Sequence, residues 1–296
     1  MDTLASLSDD VTRAVETAGR AVVAVKARRR LPSTGVHWRA GLVVTADHTV
    51  ALDEGITVTA PDGRSAAATI AGRDRATDVA VLKVDGLDLP VAERASAPLK
   101  LGQIVLALGF GPRVSWGVVA ALGEGRAEGD ALQPPVHLDL ALYPGFSGGP
   151  LVDTQGRVAG MVTSGLMRHG RLGIPAATVA RIAEQLVERG HVARGYLGLG
   201  MQPARLPADL GAALQPPREV GLLVVNVQPD GPGARAGVLI GDVLIALGGT
   251  PVTDVDDVDA ALRRAGVGAA LAASIIRGGA RAEITITVGE RPRRDR

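Results

Sequence analysis

The sequence has no cysteine among its 296 residues. This absence excludes disulfide bonds, thiol nucleophiles and thiolate metal ligands, and it leaves the redox compartment undecided. The five histidines are scattered and lack the close spacing of metal ligands, so we expect no metal and no other cofactor.

Aromatic residues and net charge are also scarce. Aromatic side chains make up 2% of the chain, against 46% for hydrophobic residues as a whole, and the net charge is +1. The cores must therefore be built from aliphatic side chains, and the charge gives no electrostatic reason to expect nucleic acid as a partner. The length favours about two domains, each large enough for its own core.

Long apolar runs are missing as well. Three aspartates (Asp2, Asp9 and Asp10) lie where a signal peptide would be basic, and the apolar run at residues 21–25 is too short for its hydrophobic region. No stretch approaches the length of a membrane span. We therefore expect a cytoplasmic protein. The alternative is a periplasmic or extracytoplasmic one whose export segment is missing from this sequence.

The most informative stretch is PGFSGGPL at residues 144–151, in which one serine, Ser147, lies among three glycines and two prolines. Glycine and proline disfavour a helix interior or a central strand. Acyl transfer needs such a segment, because backbone N–H groups must point at an oxyanion beside an exposed hydroxyl. An ordinary Gly/Pro turn is the alternative. The nucleophile hypothesis therefore requires a base elsewhere in the chain.

The rest of the chain alternates short apolar runs with turns. Helical spacing occurs at residues 3–19 and 177–188, whereas β-rich runs recur from residue 22 to residue 163. Short strands at this spacing favour an all-β barrel or sandwich. A second unit opens at Arg194 and carries a helix at about residues 254–265. The basic loop at residues 28–32 is typical of a solvated connector.

Two residues fit the roles of base and orienting carboxylate. His48 follows a strand-like run at residues 41–45, and Asp78 begins the apolar run at residues 79–84. A carboxylate at the mouth of a buried strand needs a partner such as an imidazole N–H. Asp74 is a competitor, but it lies back in the turn, where water can reach it. The order His48, Asp78, Ser147 is one of the known orders of a catalytic triad.

With these residues in place, the chain resembles the HtrA (DegP-like) serine proteases, in which a trypsin-like peptidase precedes a PDZ domain. The resemblance covers roughly residues 5–290. The matching segments, in chain order, are GLVVTADHTV (41–50), DRATDVAVLKV (74–84), DLALYPGFSGGPLV (139–152), GIPA (173–176) and RGYLG (194–198).

The resemblance implies a mainly β fold, a trypsin-like double β-barrel followed by a smaller α+β PDZ domain. It places the protease domain with an N-terminal helix at residues 1–190 and the PDZ domain at 191–290. The basic tail at 291–296 is expected to be disordered. It also assigns His48 as general base, Asp78 as its orienter and Ser147 as nucleophile.

The resemblance further assigns the oxyanion hole to the backbone N–H groups of Gly145 and Ser147. The chain departs from the family pattern at Tyr143 and Phe146, where asparagine is usual. Phe146 is expected to touch substrate and, when packed, to hold the resting hole incompletely formed. Gly173 and Ile174 are expected to contact substrate in a pocket for a small apolar side chain.

In the second unit, residues 196–199 resemble the carboxylate-binding loop of PDZ domains, which captures a peptide C-terminus with backbone N–H groups. Two helix residues spaced four apart would line the same groove, although apolar helix stripes are usually core. The predicted groove residues are Tyr196, Leu197, Gly198, Leu199, Val258 and Leu262.

The resemblance implies a serine endopeptidase of protein quality control that cleaves unfolded or damaged proteins. The PDZ domain would bind peptide C-termini or regulate activity. The alternative is a proteolytically silent PDZ adaptor that keeps the barrel as a scaffold. The resemblance also implies a possible homotrimer.

Overall fold

The computed structural model describes residues 3–111, 113–123, 133–167, 170–214 and 217–292. Within these residues the chain forms two compact units, and the boundary between them follows Val192. The first contains two barrels and two helices, and the second contains a sheet with three helices. Of the tail predicted at residues 291–296, residues 293–296 lie outside the described part, and the Arg291 N–H donates to the Arg194 carbonyl over 2.9 Å.

The first barrel is closed and antiparallel, with the strand order β1-β2-β3-β6-β5-β4. Its interior is filled mainly by valine, alanine, leucine and isoleucine, as the low aromatic content predicts. Its strands are β1 (Val22–Lys26), β2 (Ser33–Arg39), β3 (Leu42–Ala46), β4 (Ile56–Thr59), β5 (Ser65–Asp74) and β6 (Val79–Val84).

The second barrel is also closed and has the order β10-β11-β12-β9-β8-β7. Because both barrels have six strands and no free sheet edge, the main-chain groups of their strands are paired within the fold. The strands are β7 (Ile104–Gly109), β8 (Arg113–Ala121), β9 (Val136–Asp139), β10 (Pro150–Val152), β11 (Val158–Thr163) and β12 (Leu172–Pro175).

Two helices pack on the barrels. The predicted N-terminal helix is present as α1 (Thr3–Gly19), and α2 (Ala176–Arg189) follows β12 directly. Helix α2 ends at Gly190, which adopts φ +74° and whose N–H donates to the Leu186 carbonyl over 3.0 Å. Glycine is favoured there because a residue with a Cβ resists this left-handed conformation.

The second unit is built on an antiparallel sheet with the strand order β14-β15-β16-β18-β19. Strand β17 pairs with β16, and β13 pairs with β20. Its strands are β13 (Gly195–Tyr196), β14 (Leu199–Arg205), β15 (Val220–Val227), β16 (Val243–Leu247), β17 (Thr250–Pro251), β18 (Ala270–Arg277), β19 (Ala280–Thr287) and β20 (Gly289–Glu290). Its helices are α3 (Ala208–Ala212), α4 (Pro232–Arg235) and α5 (Val255–Ala265).

Two local interactions stabilise this sheet unit. Asp254 begins α5 as a capping box with Asp257, as expected for an aspartate before an apolar stripe. The buried Asp242 carboxylate pairs with Arg277 over 2.8 Å, and hydrogen bonds from that guanidinium hold the pKa of Asp242 below its ordinary value. The mainly β fold class is thus confirmed. No helix in the described ranges is long and apolar enough to cross a membrane.

Candidate active site

The ends of two paired strands bring His48 and Asp78 together. Strands β3 and β6 pair antiparallel with Ala46 opposite Val79, so the chain that leaves β3 meets the chain that enters β6. A 3₁₀ turn at Asp47–Thr49 follows β3 and contains His48. The Asp47 N–H donates to the Asp78 carbonyl over 3.1 Å. Asp78 itself adopts φ +56°, a conformation that aspartate tolerates better than most residues.

The Asp78 carboxylate is buried and fully occupied. Its Oδ1 accepts from the His48 backbone N–H over 2.8 Å, and its Oδ2 lies 2.8 Å from His48 Nδ1. The hydroxyl of Thr163 also donates to Oδ2. Because a carboxylate only accepts, Nδ1 carries a proton, and in the neutral imidazole Nε2 is then an acceptor. The His48 side chain remains 34% exposed, against 3% for Asp78, so Nε2 can reach a cleft.

Asp74, the competing carboxylate, stabilises its own turn instead. Its Oδ2 accepts from the Thr77 hydroxyl over 2.6 Å and from the Thr77 N–H over 3.2 Å. The structure therefore pairs His48 with Asp78.

Ser147 and His48 line one cleft of about 410 Å³. Within the described residues, the Ser147 hydroxyl bonds to Ser164 Oγ at 3.1 Å and makes no hydrogen bond to His48. Serine side chains change rotamer easily, and catalytic hydrogen bonds in unliganded enzymes are often loose.

The glycines after Ser147 are sterically required. A Cβ on Gly148 would lie 2.2 Å from the Thr34 carbonyl oxygen, and one on Gly149 would lie 2.1 Å from the Leu108 carbonyl oxygen. Gly148 also adopts φ +88°. Any larger residue at either position would displace the serine loop from the barrels.

The backbone around Gly145 contains the two N–H groups that the sequence assigns to the oxyanion hole. Among the described residues, neither the Gly145 nor the Ser147 N–H has a protein acceptor. The Pro144 carbonyl accepts from Arg113 Nη1 over 3.2 Å, and Arg113 lies outside the cleft. Since a trans peptide directs its N–H opposite its C=O, the Gly145 N–H points away from Arg113.

A second set of contacts fixes the next peptide of this loop. Thr34 Oγ1 donates to the Gly145 carbonyl over 2.6 Å and accepts from the Phe110 N–H over 3.0 Å. The Phe146 N–H donates to the Tyr143 carbonyl over 3.1 Å. The peptide between Gly145 and Phe146 is thus held at both ends. These contacts oppose a flip of this peptide, and the incomplete resting hole that the sequence predicts stays a prediction.

The assignment of Phe146 to substrate binding is wrong for its side chain, which is 0% exposed. The ring lies in the core of the second barrel. A Cβ on Gly109 would lie 3.0 Å from this ring, so the absence of a side chain there makes room for it. Tyr143 packs against the same ring at a centroid distance of 5.7 Å.

Gly173 and Ile174 are also misassigned as substrate contacts. Both lie in the fully buried strand β12. Ile174 is 1% exposed and belongs to the central core, while a Cβ on Gly173 would lie 2.8 Å from Leu151. Neither lines the cleft.

Sequence reasoning missed the segment at residues 163–165. Thr163 binds Asp78, and Ser164 binds Ser147. The Gly165 N–H donates to Thr163 Oγ1 over 2.9 Å, and a Cβ on Gly165 would lie 2.4 Å from His48 Nδ1. One feature of the sequence could have identified this segment: a run of small residues, Thr-Ser-Gly, directly follows the apolar part of β11. In the described part of the chain, no group of His, Asp and Glu side chains is placed to hold a metal ion.

In the second unit, residues 196–199 join β13 to β14. The Leu197 carbonyl accepts from the Gly233 N–H over 2.7 Å, and the Gly198 carbonyl accepts from the Gln228 N–H over 2.8 Å. Their own N–H groups have no acceptor among the described residues. Strand β14 pairs there with β15 alone, so its other edge is open to a peptide strand.

The side chains predicted to line this groove are mostly core. Leu197, Val258 and Leu262 are at most 5% exposed and share one hydrophobic cluster. Their assignment to an open groove is therefore corrected: helix α5 buries its apolar stripe against the sheet. Leu199 is only partly buried, and the Tyr196 hydroxyl donates to Gln228 Oε1.

Family models match both units. A trypsin-like peptidase domain matches residues 33–161, and a PDZ domain matches residues 195–288. The fold and the site therefore define a trypsin-like peptidase followed by a PDZ domain, as the sequence predicts.

Individual relatives define the family more closely. The solved HtrA-type protease AlgW with a tripeptide is 30% identical, covers 96% of this chain and 98% of its own, and has a TM-score of 0.77. The serine endoprotease from Yersinia pestis is 29% identical, covers 95% and 98%, and has a TM-score of 0.77. The probable periplasmic serine endoprotease DegP-like of Pseudomonas putida (strain W619) is 35% identical over 262 residues. The chain belongs to the HtrA (DegP-like) family of serine proteases.

The curated relatives are longer than this chain, and their names include a cellular location. The match to the P. putida protein covers 85% of this chain and 54% of that protein, so the chain spans about half the length of the curated relatives it matches. Those relatives are named periplasmic, so the cytoplasmic location expected from the sequence is wrong. None of these names supports the silent-adaptor alternative.

We expect Thr34→Val to slow peptide hydrolysis on the order of tenfold, mainly through kcat, because it leaves the Gly145 carbonyl and the Phe110 N–H without their shared partner. This estimate lies below the loss of a complete oxyanion-hole donor. Steady-state kinetics on a peptide substrate measures the effect. Thr34→Ser, which keeps the hydroxyl, is the control. Equal impairment of both variants, or none in Thr34→Val, would contradict a role for the hydroxyl.

Proposed function

We propose that the protein is a serine endopeptidase whose triad is Ser147, His48 and Asp78. One observation carries the proposal: a buried, fully hydrogen-bonded carboxylate orients an imidazole that shares a cleft with Ser147. Membership of a protease family supports the same function.

In the proposed mechanism, His48 Nε2 accepts the Ser147 proton as Oγ attacks the peptide carbonyl carbon. The backbone N–H groups of Gly145 and Ser147 stabilise the oxyanion. Asp78 stabilises the imidazolium, which then protonates the leaving amine as the C–N bond breaks. A water, deprotonated by His48, hydrolyses the acyl-enzyme and releases Ser147.

The proposed substrates are unfolded or damaged proteins, as the family resemblance implies. A periplasmic or extracytoplasmic location is consistent with the names of the curated relatives. The domain limits we propose are residues 1–190 for the protease and 191–290 for the PDZ domain. A homotrimer stays a prediction from the resemblance.

We further propose that residues 196–199 receive a peptide C-terminus while β14 pairs with the peptide backbone. The N–H groups of Leu197 and Gly198, which have no acceptor among the described residues, support carboxylate binding, and the open edge of β14 supports strand addition. Solved HtrA-type structures with a decapeptide and a tripeptide are consistent with peptide binding in this family.

Ser147→Ala should abolish labelling by a fluorophosphonate probe and hydrolysis of casein, since it removes the hydroxyl that the proposed mechanism uses as nucleophile. Ser164→Ala is the matched control, because Ser164 lies in the same cleft and is the present partner of Ser147. That variant should label at least as fast as the parent, because the Ser147 hydroxyl is freed to turn to His48. Labelling of Ser147→Ala at the parent's rate would remove Ser147 from the mechanism.

A peptide with a free apolar C-terminus should bind the PDZ unit at least about tenfold more tightly than its C-terminal amide, because amidation removes the charge that strengthens the N–H bonds. Calorimetry on the full chain carrying Ser147→Ala measures both affinities without cleavage. Equal affinities, or no binding across a panel of apolar C-termini, would leave this unit without the proposed carboxylate site.

A further inference from the structure

The basic loop between β1 and β2 forms one wall of the catalytic cleft. Arg28, Arg30 and Leu31 line the cleft together with His48 and Ser147, whereas Arg29 does not. Three consecutive arginines are therefore divided by the structure into two that face the cleft and one that does not. The sequence alone predicts only a solvated connector at this position.

This loop closes on itself and lies beside Gly145, which is assigned to the oxyanion hole. Arg28 Nε donates to the Leu31 carbonyl over 2.6 Å, which closes the loop on itself. A Cβ on Gly145 would lie 3.2 Å from the Pro32 carbonyl oxygen and 3.8 Å from Leu31 Cδ2. The Pro32 carbonyl and the Leu31 side chain therefore come close to Gly145.

The charge of this wall is uncompensated. The residues that line the cleft include two guanidinium groups and no carboxylate. Within the described part of the chain, neither Arg28 nor Arg30 forms an ion pair. The nearby Asp78 carboxylate is buried and already bonded to His48 and Thr163. Arg28 bonds through Nε, and its Nη groups make no hydrogen bond to the described residues.

We propose that Arg28 and Arg30 form an anion subsite that selects peptides with an aspartate or glutamate side chain close to the scissile bond, at the Leu31 end of the cleft. Guanidinium groups suit this role because they bind carboxylates through paired N–H donors. The inference rests on the proposed endopeptidase function and names the substrate class of that site. It also implies sensitivity to ionic strength, because the subsite is partly open to solvent.

Matched peptides test the subsite. Two peptide series share one scissile bond and differ only by Glu or Gln at each position on either side of it. The parent is expected to cleave the Glu member faster at one or more positions, by roughly three- to tenfold in kcat/KM at low salt. Arg28→Gln with Arg30→Gln should remove this preference, and Arg29→Gln should keep it. Added salt should reduce it in the parent.

No Glu preference in the parent, its survival in the double variant, or equal loss in Arg29→Gln would each overturn the proposal. Fluorophosphonate labelling of every variant separates this failure from failure of the proposed function, because labelling reports the serine without a peptide. Anisotropy with the same labelled peptides on the Ser147→Ala chain gives a readout independent of turnover. The Glu peptide should bind it more tightly, and only while Arg28 and Arg30 are present.

Discussion

The active-site architecture depends on the buried carboxylate of Asp78. A buried charge is costly unless its oxygens are bonded, and here the two oxygens accept from the His48 N–H, the imidazole and Thr163. Asp78 and His48 belong to the first barrel, whereas Thr163 ends β11 of the second. The hydrogen bonds to this one carboxylate therefore fix the imidazole and link the two barrels beside the cleft that contains Ser147.

The serine loop is fixed by a second set of non-local contacts. Phe146 fills the second-barrel core, Arg113 holds the Pro144 carbonyl and Thr34 holds the Gly145 carbonyl. The bulky apolar side chain of Phe146, next to the nucleophile, thus anchors the loop in the barrel core and does not contact substrate. Burial of such a side chain contributes roughly 1.5–3 kcal/mol, which is sufficient to favour one loop conformation strongly.

The sequence predicts the fold class and the order of the triad because both depend on local patterns: short apolar strands, and an aspartate at the start of a buried one. It does not predict which residues from distant segments contact the triad and the serine loop. Thr163 and Ser164 meet the triad through the closure of the second barrel, and Phe146 is buried because Gly109 leaves space for its ring. Val258 and Leu262 show a further limit of prediction from sequence, because an apolar stripe on a helix is compatible both with a core and with a ligand groove.

If Asp78 orients His48, kcat/KM at neutral pH should differ sharply between the Asp78→Asn and Asp74→Asn variants. An asparagine at position 78 would donate to Nδ1 and favour the wrong tautomer, so the rate should fall on the order of 10⁴-fold. Asp74→Asn should have a modest effect, because the Asp74 carboxylate accepts hydrogen bonds from Thr77 in its own turn, whereas the Asp78 carboxylate accepts them from His48. Equal losses in the two variants, or an active Asp78→Asn enzyme, would contradict the assignment of Asp78.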